Sequence, residues 1–140
     1  MEHSSTDSQQ DSPTQTFKRL IAALGEGDLD TVMSLYDPGA TFLPEPGNPV
    51  TGKDAIRQAM EAFVESLQPK LGIESSHEFI LGDVACVVAK WSGRGSGPEG
   101  SQVEMAGRSA NVLAREPDGR WVVLLDNPWG TDLFDETDRS

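Results

Sequence analysis

The hydrophobic pattern of this chain changes period once along its length, from the 3.6-residue repeat of helices to the two-residue repeat of strands. In the first half, Phe17, Leu20, Ile21 and Leu24 recur at i, i+3, i+4 and i+7, the spacing that lines one face of a helix. Gly25 and Gly27 stop it. Asp28 stands where it caps a second helix through Leu29, Val32, Met33, Leu35 and Tyr36, and Asp37-Pro38-Gly39 ends that helix. A short strand over 40–43 and a rigid, proline-rich loop over 44–49 follow. Thr51-Gly52-Lys53-Asp54 reads as a capping box. It opens a third helix with Ile56, Ala59, Met60, Phe63, Val64 and Leu67 on one face and Arg57, Gln58, Glu61 and Glu65 on the other.

From there the apolar residues alternate. Strands over 73–81 and 84–92 flank Gly82-Asp83, a two-residue hairpin turn. Residues 93–100, rich in glycine, are expected to form a flexible loop. A long strand spans 102–115, Pro117-Asp118-Gly119 turns the chain, and a last strand over 121–126 is stopped by Asn127-Pro128. A block of helices followed by hairpin-joined strands defines an α+β chain with an antiparallel sheet. One sheet face can be covered by the helices. The other exposes Phe79, Val88 and Val112, and an apolar face of that size predicts a symmetric homodimer through the outer side of the sheet.

At 140 residues the chain is one domain. Residues 1–14 are rich in Ser, Gln, Asp and Thr, too polar to repay the entropy of ordering. They are expected to be a disordered tail before a domain over 15–130, with an acidic tail over 131–140. The net charge is −12, and the two ends carry much of it. Residues 1–16 hold three acids and no base, and residues 131–140 hold four acids and one base. The balance argues against nucleic acid and against an anionic membrane as partners, since both need a basic face. No apolar run reaches the ~18 residues of a membrane-spanning helix, and the first ten residues lack the basic and apolar regions of a secretory signal. Cys86 is the single cysteine and lies in the apolar run 84–88, the setting of a buried, inert thiol. His3 and His77 are far apart, so closely spaced zinc ligands cannot be assembled. A cytoplasmic protein is the simplest reading.

The order of these elements resembles the nuclear-transport-factor-2-like superfamily, also called cystatin-like or SnoaL-like. The resemblance rests on Leu20-Ile21-Ala22-Ala23-Leu24 with Gly27-Asp28-Leu29-Asp30, and on Leu35-Tyr36-Asp37-Pro38-Gly39-Ala40-Thr41-Phe42. It also rests on Thr51-Gly52-Lys53-Asp54-Ala55-Ile56-Arg57, and on Asp118-Gly119-Arg120-Trp121-Val122-Val123 running on to Asp126-Asn127-Pro128-Trp129-Gly130. The ending is most similar to uncharacterised bacterial ketosteroid-isomerase-related proteins of the YybH kind. The resemblance implies a cone-shaped, curved antiparallel sheet with three helices on its concave side. It does not fix a function, because the superfamily holds isomerases, cyclases, dehydratases and non-catalytic domains.

Ketosteroid isomerase pairs an aspartate base with an oxyanion hole made of a tyrosine and a protonated aspartic acid. Aligned on the shared segments, Leu20 stands at the tyrosine position, Pro44 at the base position with Glu45 beside it, and Asn111 at the acidic oxyanion position. Leucine donates nothing, whereas an amide still can. The isomerase set is therefore not retained.

The same alignment turns Trp91 inward with Ala85, Val87 and Ala89, and Asn111 inward with Ser109 and Leu113, by strand alternation. It puts Asp126 near the mouth. The expected pocket is lined by Leu20, Tyr36, Met60, Phe63, Trp91, Asn111, Asp126 and Trp129, with few convergent polar groups, as small-molecule sites have. Asp126 is either a general base raised by burial or a turn carboxylate holding the backbone N–H groups of 127–130. Asn111 either orients a ligand or satisfies the backbone. Tyr36 either donates to a ligand or packs at a helix end with its hydroxyl wet. Glu45 is either a second base or a solvated loop residue. Two functions follow, beside a structural or assembly module whose pocket is closed by side chains. One is a small-molecule-binding domain that takes a small hydrophobic molecule. The other is an isomerase, lyase or cyclase of a hydrophobic carbonyl compound, with Asp126 or Glu45 as base and Asn111 as donor. Neither needs a metal or organic cofactor, because proton transfer requires only the base and donors.

Overall fold

A computed structural model describes residues 11–131. Of the tails expected over 1–14 and 131–140, residues 1–10 and 132–140 lie outside the described residues. Helix α1 (Pro13–Gly25) starts two residues inside the stretch read as a tail. The reason is local chemistry rather than apolar content. The Ser12 hydroxyl accepts from the Gln15 N–H, the Gln15 side chain accepts from the Ser12 N–H, and Pro13 fills the first turn, a full capping box. Helix α2 (Leu29–Ser34) is capped by Asp28, which accepts from the Thr31 N–H at 3.3 Å.

Strand β1 (Tyr36–Glu45) then begins earlier than the sequence implied. Tyr36 is not at a helix end: it is the first strand residue, in register with Val123, and the Val123 N–H donates to the Leu35 carbonyl at 2.8 Å. Asp37-Pro38-Gly39 is absorbed as an irregularity of that strand. The proline-rich segment is likewise a tight hairpin between β1 and β2 (Asn48–Thr51). Helix α3 (Lys53–Leu67) has Gly52 at its N-cap and no side-chain cap. Thr51, expected to cap it, is instead 2.9 Å from the Thr41 hydroxyl across the hairpin.

Strands β3 (Lys70–Leu81) and β4 (Val84–Ser96) form the hairpin foreseen at Gly82-Asp83, where Gly82 takes φ +66°. The first half of the glycine-rich segment is not a loop, because β4 runs on through Gly93 and Gly95 to Ser96, and only residues 97–101 turn the chain into the next strand. A Cβ at Gly93 would lie 2.5 Å from the Leu71 side chain, and one at Gly95 2.9 Å from the Leu67 carbonyl oxygen. Glycine here serves close packing of the strand against its neighbours. Strands β5 (Gln102–Arg115) and β6 (Trp121–Asn127) complete a six-stranded curved sheet in the order β2-β1-β6-β5-β4-β3. It is mixed rather than wholly antiparallel: β1 and β6 run parallel, since the chain enters β1 from the helices in the direction that β6 later takes.

The core lies between the helices and the inner sheet face, where Leu20, Val32, Ile56, Val87, Leu113 and Val123 are wholly buried. At the N-terminus of α1, Glu78 of β3 accepts from the Thr14 N–H at 3.0 Å and hydroxyl at 2.6 Å, tying the helix to the sheet edge with a charge that suits its dipole. The outer face keeps Phe79 at 57% and Leu81 at 77% exposure, with Val88, Val112 and Cys86 half-buried. Cys86 is thus not sealed in the core, because alternation gives the inner face to Ala85 and Val87. No helix among the described residues is long and apolar enough to cross a membrane.

Candidate functional site

Between the helices and the concave side of the sheet lies a cavity of about 310 Å³. Its walls come from four directions. Helix α1 gives Phe17, Ile21 and Leu24, and α3 gives Ala59, Met60, Phe63 and Leu67. Strand β1 gives Phe42 and Pro44, and Leu71, Met105, Pro128 and Trp129 complete the wall. Trp91, Ser109 and Asp126 also line the cavity, and among the described residues Ser109 and Asp126 are the only polar side chains in the wall apart from the indoles.

The two tryptophans meet edge to face, with ring centres 6.3 Å apart. Both indole N–H groups are spoken for by backbone: Trp91 Nε1 donates to the Pro128 carbonyl at 2.9 Å and Trp129 Nε1 to the Leu43 carbonyl at 2.9 Å. The rings therefore offer a ligand their faces and edges only. Gly107 makes this seating possible, for a Cβ there would lie 2.9 Å from the Trp91 ring. Ser109 is similarly engaged, since its hydroxyl donates to the Ala89 carbonyl at 3.4 Å and accepts from Asn111 Nδ2 at 3.0 Å.

Asp126 is 4% exposed, and its Oδ2 accepts a hydrogen bond from the Tyr36 hydroxyl. No hydrogen bond from a described residue reaches Oδ1. Asp126 lines the cavity. Burial pushes the Asp126 carboxyl up to about 6, against a smaller downward pull from the Tyr36 hydrogen bond. Burial first, and then the neighbouring carboxylate, hold the Tyr36 phenol well above its ordinary value. Tyr36 thus stays a donor, and Asp126 changes charge near neutrality.

Of the residues expected in the pocket, Met60, Phe63, Trp91, Asp126 and Trp129 line it. Leu20 does not: it is a wholly buried core residue. Tyr36 sits behind Asp126 rather than in the wall, buried rather than wet. Asn111 is buried outside the wall with its amide fully used. Nδ2 donates to the Val87 carbonyl at 3.1 Å and to Ser109, and Oδ1 accepts from the Asn127 N–H at 3.1 Å. Glu45 is exposed and accepts from Asn48 Nδ2 at 3.1 Å. Pro44, at the position of the isomerase base, does face the cavity, and strand alternation sends the next residue, Glu45, the other way. The turn after β6 is held by Asn127 rather than by Asp126: Asn127 Nδ2 donates to the Gly130 carbonyl at 3.1 Å, and its Oδ1 accepts from the Trp129 N–H at 3.2 Å. The share of the wall given by α1 and by Met105 was missed, although the Phe17, Ile21, Leu24 spacing already marked that helix face as apolar.

A curved sheet covered by three helices is the architecture of the nuclear-transport-factor-2-like superfamily. A sequence profile described as the SnoaL-like domain matches residues 17–124, and the chain belongs to that family. Among solved structures it is similar to a nuclear-transport-factor-2-like superfamily protein of Salmonella enterica. That match has a TM-score of 0.75 at 17% identity, covering 84% of this chain and 87% of that one. It is also similar to a ketosteroid isomerase-like protein of Erwinia carotovora atroseptica, with a TM-score of 0.68 at 17% identity over 79% and 87% of the two chains. A third is a protein of Catenulispora acidiphila in complex with S-DNPA, with a TM-score of 0.68 at 20% identity over 81% and 86%. These likenesses concern the fold. No curated protein matches the sequence.

Proposed function

We propose that this protein binds one small, largely apolar molecule in the cavity and meets its single polar group with Asp126. The observation that carries the reading is the 310 Å³ apolar chamber with a single ionisable side chain in its wall, the composition of small-molecule sites at the lower end of their usual size. A site at that end of the range fits a compact ligand. Ala59, half-buried in the wall, gives the test. Ala59→Phe fills the chamber and should lower the affinity for a small apolar probe such as 2-phenylethanol by about tenfold or more, read by calorimetry, with the fold retained by circular dichroism. Unchanged affinity would move the site elsewhere.

The second reading is catalysis of proton transfer without a cofactor, as in an isomerase, lyase or cyclase of a hydrophobic carbonyl compound. It is favoured by the Asp126 carboxyl near 6 with Tyr36 at its back, a base poised close to neutral pH. Asn111 and Glu45 take no part, because one is spent on backbone and the other faces solvent.

A homodimer through the outer sheet face belongs to the same proposal, supported by Phe79 and Leu81 standing exposed beside half-buried Val88 and Val112. Phe79→Glu should then shift the sedimenting species from two chains to one at micromolar concentration. A parent protein that already sediments as one chain would remove the dimer. The cytoplasm is proposed as its location, in keeping with the unpaired Cys86.

A further inference from the structure

The wall of the cavity carries a carboxylate and no cation. No lysine, arginine or histidine lines it among the described residues. The hydrogen-bond partner of Asp126 is the neutral phenol of Tyr36, its cross-strand neighbour on β5 is the neutral Asn111, and α1, α3 and β4 face the chamber with Phe17, Met60, Phe63 and Trp91. An ionised carboxylate in such surroundings is costly unless something brings the opposite charge. The same wall offers a ligand few donors, because both indole N–H groups and the Ser109 hydroxyl already donate to backbone carbonyls. What it does offer is aromatic surface and the Asp126 carboxylate, whose Oδ1 takes no hydrogen bond from a described residue. Aromatic faces attract cations, most strongly where water is excluded.

We infer that the cavity selects a small lipophilic amine in its protonated form, its ammonium on Asp126 Oδ1 and its hydrocarbon against Trp91, Trp129 and Phe63. The inference rests on the reading of the cavity as a ligand site and adds the class of ligand. The ammonium supplies the missing countercharge and donates where the wall accepts. A carboxylic acid or phosphate ligand is disfavoured by the same arrangement, since it would put like charges together with no donor to separate them.

The test compares two probes of the same shape, 2-phenylethylamine and 2-phenylethanol, titrated calorimetrically into the full chain at pH 7.5 and pH 5. The amine stays protonated at both. It should bind about tenfold or more tightly than the alcohol at pH 7.5. That preference should shrink at pH 5, where Asp126 takes up its proton, and vanish in Asp126→Asn, to which the two probes should bind within about twofold of each other. The pH comparison on the unaltered chain stands whether or not the variant folds. Equal or tighter binding of the alcohol, or an amine preference that survives Asp126→Asn or is the same at both pH values, overturns the inference and leaves the cavity as a site for neutral ligands. Binding of neither probe overturns the cavity reading along with it.

Discussion

Replacing Asn111 with leucine is expected to lower the free energy of unfolding by about 3 kcal/mol, although the two side chains are of similar size and Asn111 touches no ligand. Its amide is the hub of three buried hydrogen bonds, to the Val87 carbonyl, the Ser109 hydroxyl and the Asn127 N–H, and the residue is 0% exposed. Leucine would strand the Asn127 N–H and weaken the partners of Val87 and Ser109. A buried polar group left without its partner costs about 1–3 kcal/mol. The damage spreads to the site, because Asn127 in turn holds the turn that carries Trp129 to the cavity wall. Urea denaturation measures the change, and tryptophan emission should shift to the red as Trp129 loosens. A loss smaller than about 1 kcal/mol would mean that water or a shifted backbone takes over these bonds, and that Asn111 is free for another role.

Asn111 also shows where sequence reading stops. Strand alternation placed it on the inner face with Ser109 and Leu113, and all three are buried there. Alternation gives a direction, not a partner: two of the three groups that consume the amide lie 16 and 24 residues away in sequence. Tyr36 and Asp126 are the stronger case. They are 90 residues apart and meet only because β1 pairs with β6 in parallel, a pairing that no local period encodes. Asp37-Pro38-Gly39 misled in the opposite direction, since a strong turn signal was absorbed as an irregularity in a strand. What the sequence carried well was anything written in a sustained period. The α1 and α3 faces and the β3–β4 hairpin came out with small errors in their ends. Glu45 was lost to a single step in a strand, where one residue is the difference between cavity and solvent.

The Asp126 carboxyl makes stability itself depend on pH, in a direction opposite to that of most carboxylates. In the unfolded chain it titrates near its ordinary value of 3.8, and in the folded chain near 6. Below about 3.8 both states hold the proton and the folded state gains most. Between 3.8 and 6 only the folded state holds it, so stability falls as pH rises. Above 6 both have lost it and the dependence ends. The fall amounts to about 3 kcal/mol over the window. Other acids add their own slopes, so the measurement is the gap between the parent chain and Asp126→Asn, each unfolded in urea at a series of pH values. The amide cannot ionise, and it can still accept from the Tyr36 hydroxyl. The variant should therefore gain on the parent by about 3 kcal/mol from pH 3.5 to pH 7. Tyr36→Phe should move the upper edge of the window to higher pH, because the phenol's hydrogen bond is what holds the carboxyl down. A gap that stays constant with pH would place Asp126 in contact with water in solution, and the base reading and the amine reading would both lose the desolvated carboxylate on which they depend.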